Sequence, residues 1–185
     1  AKPGCSRVLH GTVRQADRIV FPGQGAAKDC MRALSETGLA EIVTEVSTEK
    51  PFLGICMGMQ VLMTSSEENQ GTPCLDIYPG QVRHFSERMN NERLKIPHMG
   101  WNTIAELQAH PLFDRIPDNS HFYFVHSYYV DPIDSALTLG QTHYGVDFSA
   151  AIGRDNIFAM QCHPEKSAQA GLQLLANFIQ WDGQA

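Results

Sequence analysis

The chain has 185 residues, and its hydrophobic fraction of 43% and charged fraction of 18% are those of a globular protein with one sizeable core, expected as a single domain over 1–185. A net charge of −6, with no cluster of Lys or Arg, argues against nucleic acid or an anionic membrane surface as the main partner and leaves small anionic substrates open. No apolar stretch approaches the roughly 20 residues that span a bilayer. The five cysteines (Cys5, Cys30, Cys56, Cys74 and Cys162) are odd in number, with no C-x-x-C pair and no leader-like segment before them, which points to a reducing cytoplasm.

In chain order, Arg18–Phe21 is a short apolar run closed by Pro22-Gly23-Gln24-Gly25, the pattern of a buried strand ending in a turn. Ala26–Glu36 has helical composition with Cys30, Met31 and Leu34 on one face, and Gly38 stops it. Leu39–Ser47 predicts a second short helix and Phe52–Ile55 a second strand. That strand runs into Gly54-Ile55-Cys56-Met57-Gly58, followed by a helix-compatible stretch through Met63 that ends before Ser65-Ser66-Glu67-Glu68. The second half is richer in strands: Gln81–Phe85, His121–Val130, Ala136–Thr142, Ala150–Ile152 and Ile157–Gln161. A closing helix, Ala168–Trp181, carries Leu172, Leu175, Phe178 and Ile179 as its apolar stripe. Early strand–helix alternation followed by hairpin-like strands predicts an α/β fold, a mostly parallel sheet with an antiparallel extension.

Gly-x-Cys-x-Gly between a strand and a helix is the layout of a nucleophile elbow, a strained turn with the nucleophile at its apex. Gly54 and Gly58 suit it because backbone and helix must approach where a Cβ would clash. A thiol there lies at a helix N-terminus, which favours thiolate; the plainer reading is a buried cysteine ending a core strand. A cysteine nucleophile needs a base, and the base an orienting group. His163-Pro164-Glu165 supplies both: in an extended segment side chains at i and i+2 project the same way, so Glu165 can hold the imidazole of His163 while its other nitrogen faces Cys56. A lone His-x-Glu is common and also reads as a loop histidine beside a solvated glutamate. The order Cys, His, Glu differs from the Ser, Asp, His of α/β-hydrolases and counts against an esterase. Donors for an oxyanion are expected from the N–H of Met57 and from the Gly23-Gln24-Gly25 turn, which reads equally well as a simple strand terminator. The eight histidines show no metal-ligand spacing, so neither a metal nor another cofactor is expected.

Gly54–Gln60 together with His163-Pro164-Glu165 resembles the class I (triad) glutamine amidotransferases. The segments FPGQGA (Phe21–Ala26), PHMGWN (Pro97–Asn102), YFVHSYY (Tyr123–Tyr129) and QCHPEKS (Gln161–Ser167) resemble, more narrowly, the glutaminase subunits of imidazole glycerol phosphate synthase. The likeness runs from about Asp17 to the C-terminal helix. It implies a flavodoxin-like sheet flanked by helices. It also implies hydrolysis of L-glutamine through a γ-glutamyl thioester on Cys56, with ammonia passed to a (β/α)8-barrel cyclase subunit that makes imidazole glycerol phosphate and AICAR in histidine biosynthesis. Gln60 and Glu68 match positions that hold the substrate in that family, with His126, Ser127 and Tyr128 near its α-amino and carboxylate groups. Gln60 as a helix cap and Glu68 as a solvated loop charge are the plainer readings. Met99, Trp101, Asn102, Tyr123 and Lys166 match partner contacts, Trp101 being an aromatic anchor in a Gly-containing loop, a composition that interfaces favour over core packing. Alternatives are the glutaminase subunit of another amidotransferase, a partner-independent γ-glutamyl cysteine hydrolase, or a module with a dead site.

Two departures from that pattern stand out. Ala1–Gly11 contains neither the apolar strand nor the DYGxGN-like loop and helix with which such proteins open, so a first βα unit is expected to be missing. Gln24 stands where many relatives have a small aliphatic residue.

Overall fold

The computed structural model describes residues 10–87 and 94–184; residues 1–9, including Cys5 and most of the departing opening segment, lie outside them. Strand β1 (Ile19–Gly23) leads into helix α1 (Ala27–Thr37), which Gly38 ends in a left-handed conformation with its N–H on the carbonyls of Leu34 and Ser35. Helix α2 (Leu39–Ser47) follows, then β2 (Phe52–Cys56) and the single-turn helix α3 (Met57–Gln60). Next come β3 (Met63–Ser66), β4 (Thr72–Pro73), β5 (Tyr78–His84) and β6 (His98–Ile104). The last strands are β7 (Ser120–His126), β8 (Tyr128–Pro132), β9 (Thr138–His143), β10 (Asp147–Arg154) and β11 (Ile157–Met160), before helix α4 (Ala168–Gln180). Among the described residues no helix is long and apolar enough to cross a membrane.

The main sheet runs β1-β2-β11-β10-β9. Its first three strands are parallel and its last two antiparallel, so it is a mixed sheet with the expected antiparallel extension. β2 and β11 are buried on both faces, which is why each reads as an uninterrupted apolar run. Leu53, Ile55, Phe158 and Met160 point into one core with Phe178 and Trp181. Phe52, Ile157 and Ala159 point into the other, with Leu34, Val46 and Met59. Helices therefore cover both faces of the parallel part, and the carboxyl ends of β1 and β2 emerge together beside α3.

Four local expectations are corrected. The helix after Cys56 does not continue to Met63: the carbonyls of Val61 and Leu62 accept from the N–H groups of Leu75, Ile77 and Tyr78, and the chain becomes β3, paired parallel to β5. Non-local partners displace the helical ones. The run His121–Val130 is two strands in two sheets. β7 pairs with β6 up to His126, and after Ser127 β8 pairs with β5 from Tyr128. The change of sheet also breaks the alternation, with Phe122, Phe124 and His126 buried first and the adjacent Tyr129 and Val130 afterwards. The third correction concerns α4, which buries Gly171, Leu174 and Phe178, whereas Leu172 and Ile179 are 61% and 68% exposed. Segment 98–104, read as a loop around Trp101, is a strand.

Two outcomes follow. Leu174→Ala lowers the unfolding free energy by about 2–5 kcal/mol, while Leu172→Ala stays within about 0.5, as urea titration of both variants would reveal. Burial also pushes the pKa values of His98 and His110 down to about 4 and that of His126 to about 3. An unfolded histidine takes up its proton near 6.5, so between pH 6.5 and about 4 the unfolded chain binds protons that the folded one refuses. The urea midpoint therefore drops between pH 7 and pH 5; a flat profile would contradict neutral buried histidines.

Candidate active site

Cys56 ends β2 with φ 54° and ψ −109°, a conformation rare for a residue with a side chain. It is held there by contacts that tolerate no Cβ. One added to Gly58 would lie 1.8 Å from the carbonyl oxygen of Phe21, and one added to Gly54 would lie 2.9 Å from Cβ of Ala159. The elbow thus presses directly on the backbone of β1, and Gly23 stands opposite Cys56 in the β1–β2 register.

Cys56 opens on a cavity of about 450 Å³, a volume suited to a small ligand. Gln24, Gly25 and Met57 line it near the sulfur, and Gln60, Glu68, His126, Ser127 and Tyr128 form its other walls, with His163 and Lys166 at its side. Pro97 and Val125 also line it; both lie inside the segments PHMGWN and YFVHSYY, but were given no role of their own. The imidazole of His163 is buried, and its Nδ1 lies 2.8 Å from Oε1 of the half-exposed Glu165. A carboxylate can only accept, so Nδ1 carries a proton, and Nε2 is the nitrogen left to exchange one. That atom is buried and finds no hydrogen-bond partner among the described residues.

The thiol is not the resting thiolate that a helix N-terminus suggested. Burial pushes it up to about 11, outweighing the lowering effect of hydrogen bonds from the Met57 N–H and Gln161. A one-turn helix offers too small a dipole to reverse this.

A polar chain that the sequence pattern does not reveal ties this sulfur to the far wall. Gln161 donates from Nε2 to Cys56 Sγ at 3.6 Å, and its Oε1 accepts from Gln60 Nε2 at 3.0 Å. Gln60 Nε2 also donates to the carbonyl of Tyr128 at 3.0 Å, so its amide hydrogens are engaged and its own carbonyl faces the cavity as an acceptor. His126 donates from Nδ1 to the same carbonyl at 2.8 Å and meets His98 Nδ1 through Nε2 at 2.9 Å, which leaves its ring no nitrogen for a ligand. Glu68 accepts at 2.6 Å from the N–H of Ala27, capping α1, whose own N-cap residue, Ala26, has no side chain able to do so. Gln161 sits inside the motif that also contains His163, and His98 lies close to Trp101; adjacency to motif residues was the only signal available for either.

Outside the cavity, Met99 and Trp101 are 61% and 53% exposed on the outer face of β6. The ring of Trp101 meets Tyr123 edge-on at 6.0 Å, and Lys166 Nζ lies 5.9 Å from the Tyr123 ring centre. Asn102 is set apart from this patch. Strand alternation turns it inward, where its Nδ2 donates to the carbonyl of His143 at 2.9 Å and to His98 Nε2 at 3.3 Å. Cys162, just beyond the end of β11, is fully buried in the core.

A model of the glutamine amidotransferase class-I family matches residues 9–181. Among curated proteins, an imidazole glycerol phosphate synthase subunit HisH from Hydrogenovibrio crunogenus is 56% identical over 93% of this chain and 80% of its own length. The subunit HisH 1 from Pseudomonas aeruginosa is 50% identical over 97% and 87%. Among solved structures, a putative GMP synthase subunit from Thermoplasma acidophilum superposes with a TM-score of 0.65 over 95% of this chain and 77% of that one. The glutaminase domain of Trypanosoma brucei CTPS with bound acivicin gives 0.61 over 98% and 78%. At 16% identity these two structures speak for the fold alone. With a thiol at a strand-to-helix corner, a buried His–Glu pair sharing its cavity and a family match along nearly the whole sequence, the chain belongs to the class-I glutamine amidotransferase family.

Proposed function

We propose that this chain is the glutaminase subunit of an imidazole glycerol phosphate synthase, hydrolysing L-glutamine and handing the ammonia to a (β/α)8-barrel cyclase subunit. The observation that carries the chemistry is the unpartnered Nε2 of His163, buried beside the Cys56 cavity while Glu165 holds Nδ1. The specific assignment is supported by HisH relatives at 50–56% identity.

In this reading Cys56 Sγ attacks the side-chain carbonyl carbon of glutamine as His163 Nε2 takes the thiol proton. Burial disfavours a free thiolate, so the proton passes to His163 as the sulfur attacks, and the Glu165 carboxylate stabilises the imidazolium that forms. The carbonyl oxygen turns toward the N–H of Met57 and the Gly23-Gln24-Gly25 turn. His163 then returns its proton to the departing nitrogen, the C–N bond breaks, and ammonia leaves a γ-glutamyl thioester. Water, giving a proton to His163, cleaves the C–S bond and restores the thiol with glutamate as product. Gln60 offers a carbonyl and Glu68 its second carboxylate oxygen to the α-ammonium, and Ser127 and Tyr128 border the α-carboxylate. Ammonia is released beside the exposed patch of Met99, Trp101, Tyr123 and Lys166, the face that the cyclase would cover. A partner-independent hydrolase would have no use for such a patch.

Cys56→Ala should fold normally and lose glutamine hydrolysis by about 10³-fold or more in a coupled glutamate assay. Retained activity would remove Cys56 as nucleophile. For Trp101→Ala, titration with the cyclase should show Kd rising roughly 30-fold, about 2 kcal/mol, with the melting temperature of the free subunit unchanged.

A further inference from the structure

Strand β6 has two faces with different fates. Met99 and Trp101 project to solvent, whereas His98 and Asn102 enter a continuous run of hydrogen bonds that ends at the wall of the glutamine cavity. The direction of that run is fixed from its ends. The Tyr128 carbonyl can only accept, so Nδ1 of His126 donates to it. Burial keeps both histidines neutral at pH 7. Nε2 of His126 is then an acceptor, His98 must donate from Nδ1, and His98 Nε2 accepts from the amide of Asn102. The amide orientation of Asn102 is itself set, because its Oδ1 accepts from the Thr103 N–H at 2.8 Å.

This is the one self-consistent setting: turning the Asn102 amide over would set its Nδ2 against the Thr103 N–H and its Oδ1 against the His143 carbonyl. Without the donor from Asn102, nothing holds the proton of His98 on Nδ1; with it on Nε2 instead, His126 donates from Nε2 and a lone pair on His126 Nδ1 faces the Tyr128 carbonyl, which is repelled where it was held. Rings enclose the two histidines of the relay: His98 is stacked between Phe124 and Tyr144 at 4.8 and 4.0 Å, and Phe85 and Phe148 flank His126. The carbonyl at stake is the one that Gln60 shares, and Gln60 leads through Gln161 to Cys56 Sγ.

We propose that the Asn102–His98–His126 relay sets the Ser127–Tyr128 wall of the glutamine pocket from the partner-facing strand, with His98 and Asn102 as positioning residues for the reaction. This rests on the glutaminase reading above. A partner pressing on Met99 and Trp101 acts on the strand that carries Asn102, and whether that amide keeps its donor on His98 Nε2 decides whether the pocket wall is held or released.

Two measurements test it. Long-range ¹H–¹⁵N correlation on the free chain at pH 7 should find His98 and His126 both neutral and protonated at Nδ1; Nε2 protonation or an imidazolium on either overturns the relay. In the complex with the cyclase, His98→Phe keeps the ring stack and removes both hydrogen bonds. It should lower kcat for glutamine hydrolysis about 10-fold with the Kd for the cyclase within about 3-fold. Asn102→Asp, nearly isosteric but unable to donate, should lower kcat similarly and also shift the ¹⁵N signals of His126, two hydrogen bonds away, which a merely structural role would not do. Tyr144→Phe, which keeps the stack, serves as the packing control and retains kcat. Wild-type kcat in both His98→Phe and Asn102→Asp overturns the proposal. An inactive wild-type complex would instead overturn the glutaminase reading, and the tautomers of the free chain would still decide the relay.

Discussion

The site depends first on a backbone-to-backbone contact. Where β2 turns into α3, the chain lies so close to the carbonyl of Phe21 that residue 58 has no room for a single carbon beyond Cα, and residue 54 has almost none. This proximity fixes the corner and obliges Cys56 to adopt a conformation that costs an ordinary residue about 1–3 kcal/mol. The strain persists because the corner is anchored in the best-buried part of the molecule: β2 lies between β1 and β11, with a core on each face. Strain at the apex and burial beneath it are two parts of one arrangement.

Burial then sets the chemistry. The desolvation that pushes the Cys56 thiol up to about 11 also encloses the imidazole of His163, with one nitrogen on Glu165 and the other unpartnered. A thiol that burial keeps protonated, sharing a cavity with an imidazole whose tautomer a carboxylate fixes, is the pair on which the proposed glutaminase reading rests. The same desolvation holds His98 and His126 neutral, so their hydrogen bonds have a definite sense.

The pocket's second wall comes from a change of sheet. At Ser127 the chain leaves its pairing with β6 and joins β5, and the irregular corner is fastened by hydrogen bonds to the Tyr128 carbonyl from His126 and Gln60. A strand at the end of a sheet's order can face a ligand, and here side-chain donors add to what the ladder supplies. This joins the exposed face of β6 to the interior of the site within a few side chains.

Much of this was legible in the sequence, because it is written in local chemistry. Gly54 and Gly58 around Cys56 announce a corner that excludes side chains, and His163-Pro164-Glu165 announces an oriented imidazole, although the segment expected to be extended is a 3₁₀ turn over Pro164–Lys166 that brings Glu165 back beside His163. Gly38 marks a helix end, and continuous apolar runs mark strands covered on both faces. Other features were decided by partners remote in sequence. The helix after Cys56 stops early because Leu75, Ile77 and Tyr78 claim the carbonyls of Val61 and Leu62. The run His121–Val130 divides because β6 and β5 compete for it, and α4 buries Leu174 rather than Leu172 because the sheet lies on that side. Residue types fix what a group can do; the ionisation of Cys56, the face of Asn102 and the sense of the histidine relay follow from what surrounds each group, and only the folded chain assembles those surroundings.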